Sequence, residues 1–143
     1  MVQGETGFTG FQLDDRLQKD CVVLFEQDGV SILLHRNAEV KWFILVPHTD
    51  LIEFYQLERS LQLKLIDLIN MLSTFIQQTW AVDKINVATI GNVVSQMHVH
   101  IIGRSINDIY WPDVVWGKPC EKLYEIQQIT QVQQQLNEFI QKK

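Results

Sequence analysis

The sequence predicts an α+β fold in which a mainly antiparallel five-stranded sheet packs against one long helix, with a second helix at the carboxyl end. Short apolar runs separated by turn residues indicate the strands, and one stripe of leucines indicates the long helix. With 143 residues, 46% of them hydrophobic, the chain can bury a substantial core without disulfide or metal. We therefore assign residues 1–143 to a single domain, with its core over about 20–117.

The first half of the chain predicts a short helix and three strands. The helix covers residues 13–19, and strands follow over 21–26 and 30–35. Asp28-Gly29 lies between these strands and favours a tight hairpin. The third strand covers 42–46 and ends at Pro47, because proline has no N–H group to donate to a sheet.

The second half predicts the long helix, two more strands and the C-terminal helix. Apolar residues three and four positions apart give the long helix, over 57–80, one face that packs on the sheet: Leu57, Leu61, Leu65, Leu68, Leu72 and Phe75. A fourth strand follows over 84–90, and Gly91 separates it from the fifth. Residues 121–142 form an amphipathic helix that docks onto the sheet or onto a second subunit.

The fifth strand carries the residues that can take part in a chemical reaction. Residues 96–104 alternate between apolar and polar side chains, which puts His98 and His100 on one face and Met97 and Val99 on the other. Two imidazoles on one rigid strand suit phosphate chemistry, because one neutral ring can attack phosphorus while a neighbouring donor holds a non-bridging oxygen. We therefore predict that His98 and His100 are catalytic.

This segment resembles the motif of the histidine triad (HIT) family, His-x-His-x-His followed by two apolar residues. Gln96 stands at the first histidine position, His98 falls on the central, nucleophilic histidine and His100 on the third. Residues 91–94 resemble the loop before the motif. Residues 42–47 resemble an earlier strand that ends in proline, and 109–112 resemble a later Trp-Pro segment, so the resemblance covers about residues 20–117.

The resemblance implies a nucleotide hydrolase or nucleotidyl transferase. Such an enzyme acts at the α-phosphate of a nucleoside phosphoramidate or dinucleoside polyphosphate through a nucleotidyl-histidine, without a metal or other cofactor. It also implies a homodimer. Gly91, Asn92 and Val93 would bind the phosphate, and Asn37 lies near the position where relatives place a ribose-binding Asp. Asn37 fits an ordinary turn residue equally well.

Gln96 is the main departure from the family motif. Its amide can donate and accept hydrogen bonds and so orient the histidine pair, but it cannot ionise. We therefore include Gln96 in the catalytic set and expect a low activity. Two alternatives stay open: a nucleotide-binding sensor or scaffold that has lost turnover, and a metal-dependent hydrolase in which the two histidines bind zinc. No third ligand stands at a recognisable spacing for the second alternative.

Composition limits the other function classes. The net charge of −5 disfavours general nucleic-acid binding. Cys21 and Cys120 form no Cys-x-x-Cys motif and are interpreted as reduced thiols. The first residues lack the pattern of a signal peptide and no run is long enough to span a membrane, so we expect a cytoplasmic protein. We interpret His35 and His48 as ordinary core or surface residues and Arg104 as a surface residue.

Overall fold

In the computed structural model, which describes residues 10–142, five strands form one antiparallel sheet, as predicted. The elements in chain order are α1 (Asp15–Asp20), β1 (Cys21–Gln27), β2 (Val30–His35), β3 (Lys41–Pro47), a short 3-10 helix (Phe54–Gln56), α2 (Arg59–Trp80), β4 (Lys84–Ala88), β5 (Val99–Arg104) and α3 (Ile126–Gln141). The strand order is β1-β2-β3-β5-β4, and every neighbouring pair is antiparallel. The α+β fold class is therefore confirmed.

The β1–β2 hairpin turns at the predicted residues. Asp28 and Gly29 have φ angles of 53° and 80°. Positive φ at both central positions is what a type I′ turn requires, and Gln27 pairs directly with Val30 across it. This turn sets the register that places Cys21 opposite His35.

Apolar side chains cover both faces of the sheet. The first face packs against α2 and α3 and includes Met97, Val99 and Ile101, as the alternation on the fifth strand predicted. The opposite face holds a second apolar cluster that also includes residues of α1 and of the chain after β5: Leu17, Cys21, Leu33, Val40, Trp42, Ile44, Val46, Ile102, Tyr110 and Val115. The candidate functional residues lie on this second face.

Several boundaries differ from the predicted ones. The sheet pairing of β5 begins at Val99 rather than residue 96, because the carbonyl of Gln96 and that of His98 bind side chains instead of a neighbouring strand. The strand β4 ends at Ala88, where Thr89 Oγ1 donates to the carbonyl oxygen of His98 at 2.8 Å. Within residues 10–142, no helix has both the length and the apolar character needed to cross a membrane.

The surface interpretation of Arg104 is wrong. Its side chain is 2% exposed, and Nε and Nη2 donate to the two carboxylate oxygens of Asp108 at 2.9 and 3.1 Å. Nη1 donates to Asn86 Oδ1 at 3.1 Å, and the guanidinium lies 5.7 Å from the ring centre of Trp111. A charge can be buried here because every nitrogen group finds a partner within the fold.

Candidate active site

A cavity of about 390 Å³ opens on the second face of the sheet. Both predicted histidines line it, together with His35 from β2, Trp42 from β3 and Trp116 from the chain after β5. Residues of α1 and of the loop over 90–94 complete the wall. This volume lies within the range of small-molecule sites and is large enough for a nucleotide.

The sheet topology brings the ring-bearing residues together. The central strand β3 lies between β2 and β5, with Leu34 opposite Phe43 and Ile44 opposite His100. Because side chains alternate along a strand, His35, Trp42 and His100 point to the same face from three adjacent strands. The consecutive strands β2 and β3 and the sequence-distant β5 thus supply one wall of the cavity.

His98 and His100 lie side by side in this wall. Their ring centres are 4.9 Å apart, the ring planes meet at 74°, and each residue is only 6% exposed. The pair predicted from the alternation of the fifth strand therefore lines the cavity together.

The ring of His98 is held by the main chain. Its Nδ1 lies 2.6 Å from the carbonyl oxygen of Gln96. A carbonyl oxygen can only accept, so Nδ1 must carry the proton and donate. The neutral ring then has its lone pair on Nε2, which has no hydrogen-bond partner among residues 10–142.

The ring of His100 is held in the opposite tautomer. The indole Nε1–H of Trp42 donates to Nδ1 of His100 at 3.0 Å, so Nδ1 is the unprotonated atom and the proton lies on Nε2. Burial, followed by the neighbouring charges of His98 and His35, lowers the pKa of His100 to about 3. His100 is therefore neutral near pH 7 and offers an N–H donor.

This arrangement combines a nucleophile with an electrophilic donor. The lone pair on His98 Nε2 and the proton on His100 Nε2 belong to adjacent rings on one wall. In a phosphate ester, the phosphorus atom can face the lone pair of His98 while an attached oxygen accepts a hydrogen bond from the donor of His100. His100 needs no proton change before it donates in this way.

The three predicted loop residues also lie at the cavity. Gly91, Asn92 and Val93 line it beside His98 and His100. Gly91 has a φ of 72°, a left-handed conformation that favours glycine. The loop is exposed, so its backbone and the Asn92 amide are accessible to a ligand in the cavity.

Gln96 contacts the site through its backbone rather than its side chain. The carbonyl oxygen of Gln96 accepts from His98, as described above. The side-chain Oε1 accepts from the Asp14 amide and Nε2 donates to the Gln12 carbonyl oxygen, each at 2.9 Å. The side chain thus attaches the segment before α1 to the start of the histidine strand.

Asn37 does not line the cavity. It is buried, with Nδ2 donating to the Tyr110 hydroxyl at 3.1 Å and Oδ1 accepting from the Glu39 amide at 2.7 Å. Its backbone amide donates to Nδ1 of His35 at 3.0 Å. Asn37 therefore supports a residue of the cavity wall from behind.

The sequence interpretation missed His35 as a site residue. Its ring stacks on the indole of Trp42 at a centre-to-centre distance of 3.9 Å and an angle of 10°. Burial lowers its pKa to about 4, with the nearby Asp20 acting in the opposite direction. The available signal was its position at the end of β2, on the same face as Leu33.

A metal centre finds few ligands here. Among residues 10–142, no group of three or more His, Cys, Asp or Glu side chains is arranged to hold a metal ion. The adjacent imidazoles of His98 and His100 are two ligands, whereas zinc sites have three or four protein ligands. Arg16 and Asp20 from α1 supply the other charged groups at the cavity.

Comparison with known proteins agrees with the geometry. The HIT domain model matches residues 16–107. A histidine triad protein from Marinobacter aquaeolei VT8 shares 34% identity and a TM-score of 0.86, covering 92% of this chain and 97% of its own. A histidine triad protein from Bradyrhizobium japonicum shares 30% identity and a TM-score of 0.86, covering 91% of this chain and 98% of its own. A third, from Sinorhizobium meliloti 1021, shares 29% identity and a TM-score of 0.87, covering 92% of this chain and 98% of its own.

None of the curated proteins matches the chain. Members of the HIT family are generally nucleotide-binding hydrolases and transferases. The domain match extends over more than half of the sequence and includes all three cavity histidines. This protein therefore belongs to the histidine triad family.

Proposed function

We propose that this protein is a cytoplasmic nucleotide hydrolase or nucleotidyl transferase that acts at the α-phosphate of a nucleoside phosphoramidate or a dinucleoside polyphosphate. The observation that carries this proposal is the pair of opposite tautomers, with a free lone pair on His98 and an N–H donor on His100. Attack on a phosphate that carries negative oxygens needs both groups.

In the first step, Nε2 of His98 attacks the α-phosphorus and forms a P–N bond. The bond from phosphorus to the leaving group breaks, and its electron pair departs with the nucleoside polyphosphate or, where the leaving nitrogen has taken a proton from water, with the amine. The His98 ring becomes positively charged while Nδ1–H stays bonded to the Gln96 carbonyl oxygen, which stabilises that charge. His100 donates from Nε2 to a non-bridging oxygen.

In the second step, water or another acceptor attacks the same phosphorus. The P–N bond breaks, its electrons return to His98 Nε2, and the attacking group loses its proton to solvent. The nucleotide is released as the monophosphate or on the acceptor. Gly91, Asn92 and Val93 contact the phosphate from the loop. Gln96 acts through its carbonyl oxygen, and Asn37 acts by holding His35 rather than by binding ribose, because its amide is already bonded to Tyr110 and Glu39.

The test is a trapped intermediate. The protein is incubated with adenosine phosphoramidate, and separately with diadenosine polyphosphate, in the presence of chelator, then quenched in alkali and analysed by intact mass. We expect an adenylyl adduct in the wild type and none in His98→Ala, with turnover reduced at least about a thousandfold. His48→Ala is the matched control, because His48 lies away from the cavity, bonded to Ser31 and stacked on Phe11.

Two results would contradict the proposal. Nucleotide binding without adduct or AMP would favour the sensor alternative. Activity that disappears with chelator and returns with zinc would favour a metal-dependent hydrolase.

We also propose that the protein forms a homodimer through β4, which is an edge strand of the sheet formed by residues 10–142. The other edge strand, β1, has an irregular register near Leu24, whose carbonyl oxygen accepts from Gln133. In contrast, β4 pairs regularly with β5 and leaves Val87 49% exposed. Edge pairing with a second copy would satisfy its outer backbone groups.

Sedimentation equilibrium tests the dimer. We expect a dimer for the wild type and for Val23→Lys on the β1 edge, and a monomer for Val87→Lys. A monomeric wild type, or a Val87→Lys dimer of unchanged affinity, would contradict this interface.

A further inference from the structure

The indole of Trp42 makes a buried hydrogen bond to a residue of the proposed reaction without lying on the reacting atoms itself. Its Nε1–H donates to Nδ1 of His100 at 3.0 Å, and Trp42 is only 5% exposed. We infer that Trp42 is a positioning residue, which holds the His100 ring in the orientation and tautomer that present Nε2–H to the phosphoryl group. This inference rests on the proposed function and adds a determinant of its rate.

The direction of this hydrogen bond is fixed by chemistry. An indole nitrogen can only donate, so the His100 atom that faces it must accept. If the imidazole turned over, a ring carbon would face the indole and leave a buried N–H without a partner. Trp42 therefore selects one ring orientation as well as one tautomer.

Neighbouring rings hold the indole itself. His35 stacks on one side of Trp42 at 3.9 Å, and the His35 ring is in turn fixed by the Asn37 amide, which donates to its Nδ1. Trp116 meets Trp42 edge-on at 6.0 Å and approaches His100 at 5.0 Å. Because these contacts come from different segments of the chain, the indole is held in its plane with little freedom to rotate.

The surroundings of His100 favour the same form, with burial as the largest effect and the nearby His98 and His35 rings next. His98 lies beside it on the same wall and His35 lies beyond Trp42, while Arg16 and Asp20 of α1 also line the cavity. Protonation of His100 would place a second N–H against that of Trp42, so two donors would face each other. The lowered pKa of His100 agrees with this neutral form.

Tryptophan at position 42 differs in kind from a histidine at the same place. An imidazole at that position can donate or accept according to its protonation state, whereas an indole can only donate. In this chain, therefore, the donor role of His100 does not depend on the protonation of the residue behind it.

The test removes the N–H group and keeps the ring. Trp42→Phe is the simple variant, and β-(3-benzothienyl)alanine at position 42 replaces only the indole N–H by sulfur. Long-range ¹H–¹⁵N NMR reports the protonation of each imidazole nitrogen, and kcat and KM are measured with adenosine phosphoramidate. The matched control is Trp80→Phe, since Trp80 packs against Phe43 and Phe75 on the opposite face of the sheet.

In the wild type we expect His100 to show a protonated Nε2 and an unprotonated Nδ1. In both variants at position 42 the two ¹⁵N shifts should move towards each other, and kcat should fall about tenfold or more with KM changed less than about threefold. The shifts of His98 should not change, and Trp80→Phe should leave both histidines and kcat as in the wild type.

Unchanged His100 shifts, or a kcat within about twofold of the wild type in the benzothienyl protein, would overturn the inference. If Trp42→Phe fails to fold, the benzothienyl protein decides alone. A wild type that forms no adenylyl adduct would refute the proposed function by itself. In that case the ¹⁵N shifts still decide whether Trp42 sets the tautomer of His100.

Discussion

The two ends of β5 bury polar side chains in opposite ways. At its start, His98 and His100 each use one ring nitrogen within the fold and leave the other at the cavity. At its end, Arg104 uses all three of its nitrogen groups on Asp108 and Asn86. A buried polar group with unused capacity is suited to a ligand, whereas a fully bonded one serves the fold.

The Arg104 end also supports the site indirectly. Burial would raise the pKa of Asp108, but hydrogen bonds from Arg104 and from the amides of Ser105 and Tyr110 hold it below its usual range. The Tyr110 hydroxyl in turn bonds to Asn37 and to the Pro119 carbonyl oxygen. These bonds fix the segment that carries Trp116 to the cavity.

The largest effect on folding should come from Arg104→Met. This change leaves the carboxylate of Asp108, only 5% exposed, without its cation. We expect the free energy of unfolding to fall by about 3–5 kcal/mol, because the remaining charge stays buried and unpaired. Urea denaturation followed by tryptophan fluorescence measures the change.

The exposed pair between Lys118 and Asp113 provides the control, because Lys118→Met should cost no more than about 1 kcal/mol. Equal losses of unfolding free energy in Arg104→Met and Lys118→Met would mean that burial does not make the Arg104–Asp108 pair more important than the exposed pair.

The buried histidines should have a smaller effect on stability, seen as a dependence of the free energy of unfolding on pH. The pKa values of His35 and His100, about 4 and about 3, lie below the ordinary 6.5. As the pH falls from 6.5 towards 4, these histidines therefore bind more protons in the unfolded chain than in the folded chain. Stability should decrease in this window by up to about 1.4 kcal/mol per pH unit for each histidine.

His35→Gln tests this linkage, because it removes one of the histidines, with His100 and His48, whose pKa is lowered in the folded chain. The slope of unfolding free energy against pH, measured by urea denaturation between pH 6 and pH 4.5, should become shallower by up to about 1.4 kcal/mol per pH unit. The lowered pKa of Asp108 acts mainly below its ordinary value of 3.8 and leaves this window unaffected. An unchanged slope in His35→Gln would refute the neutral, buried state of that ring.

Local sequence patterns were enough to predict most of the fold and half of the site. The leucine stripe, the Asp28-Gly29 turn and the alternation around His98 and His100 depend on residues close in sequence. The contacts of Trp42 with His35 and His100 instead require β3 to lie between β2 and β5, and no local pattern contains that information. Asp108 is close to Arg104 in sequence, but no strand or helix pattern indicates that the loop after β5 folds back onto the guanidinium, so the burial of Arg104 was not predicted.

The smallest effect on activity should come from Gln96, whose side chain is bonded within the fold while its carbonyl oxygen binds a cavity histidine. Its partners, Gln12 and Asp14, are more than 80 residues away in sequence, so its use as a tether could not be predicted. Gln96→Ala removes two hydrogen bonds and should cost about 1–2 kcal/mol, measured by hydrogen exchange at the Asp14 amide.

Adenylyl transfer should change less than about threefold in Gln96→Ala and also in Gln96→His. Both variants keep the carbonyl oxygen that binds His98, and that contact, rather than the side chain, holds the nucleophile. A large gain in Gln96→His would instead mean that the first histidine of the family motif contributes through its ring. Loss of the adduct in Gln96→Ala would mean that the glutamine side chain takes part in the reaction.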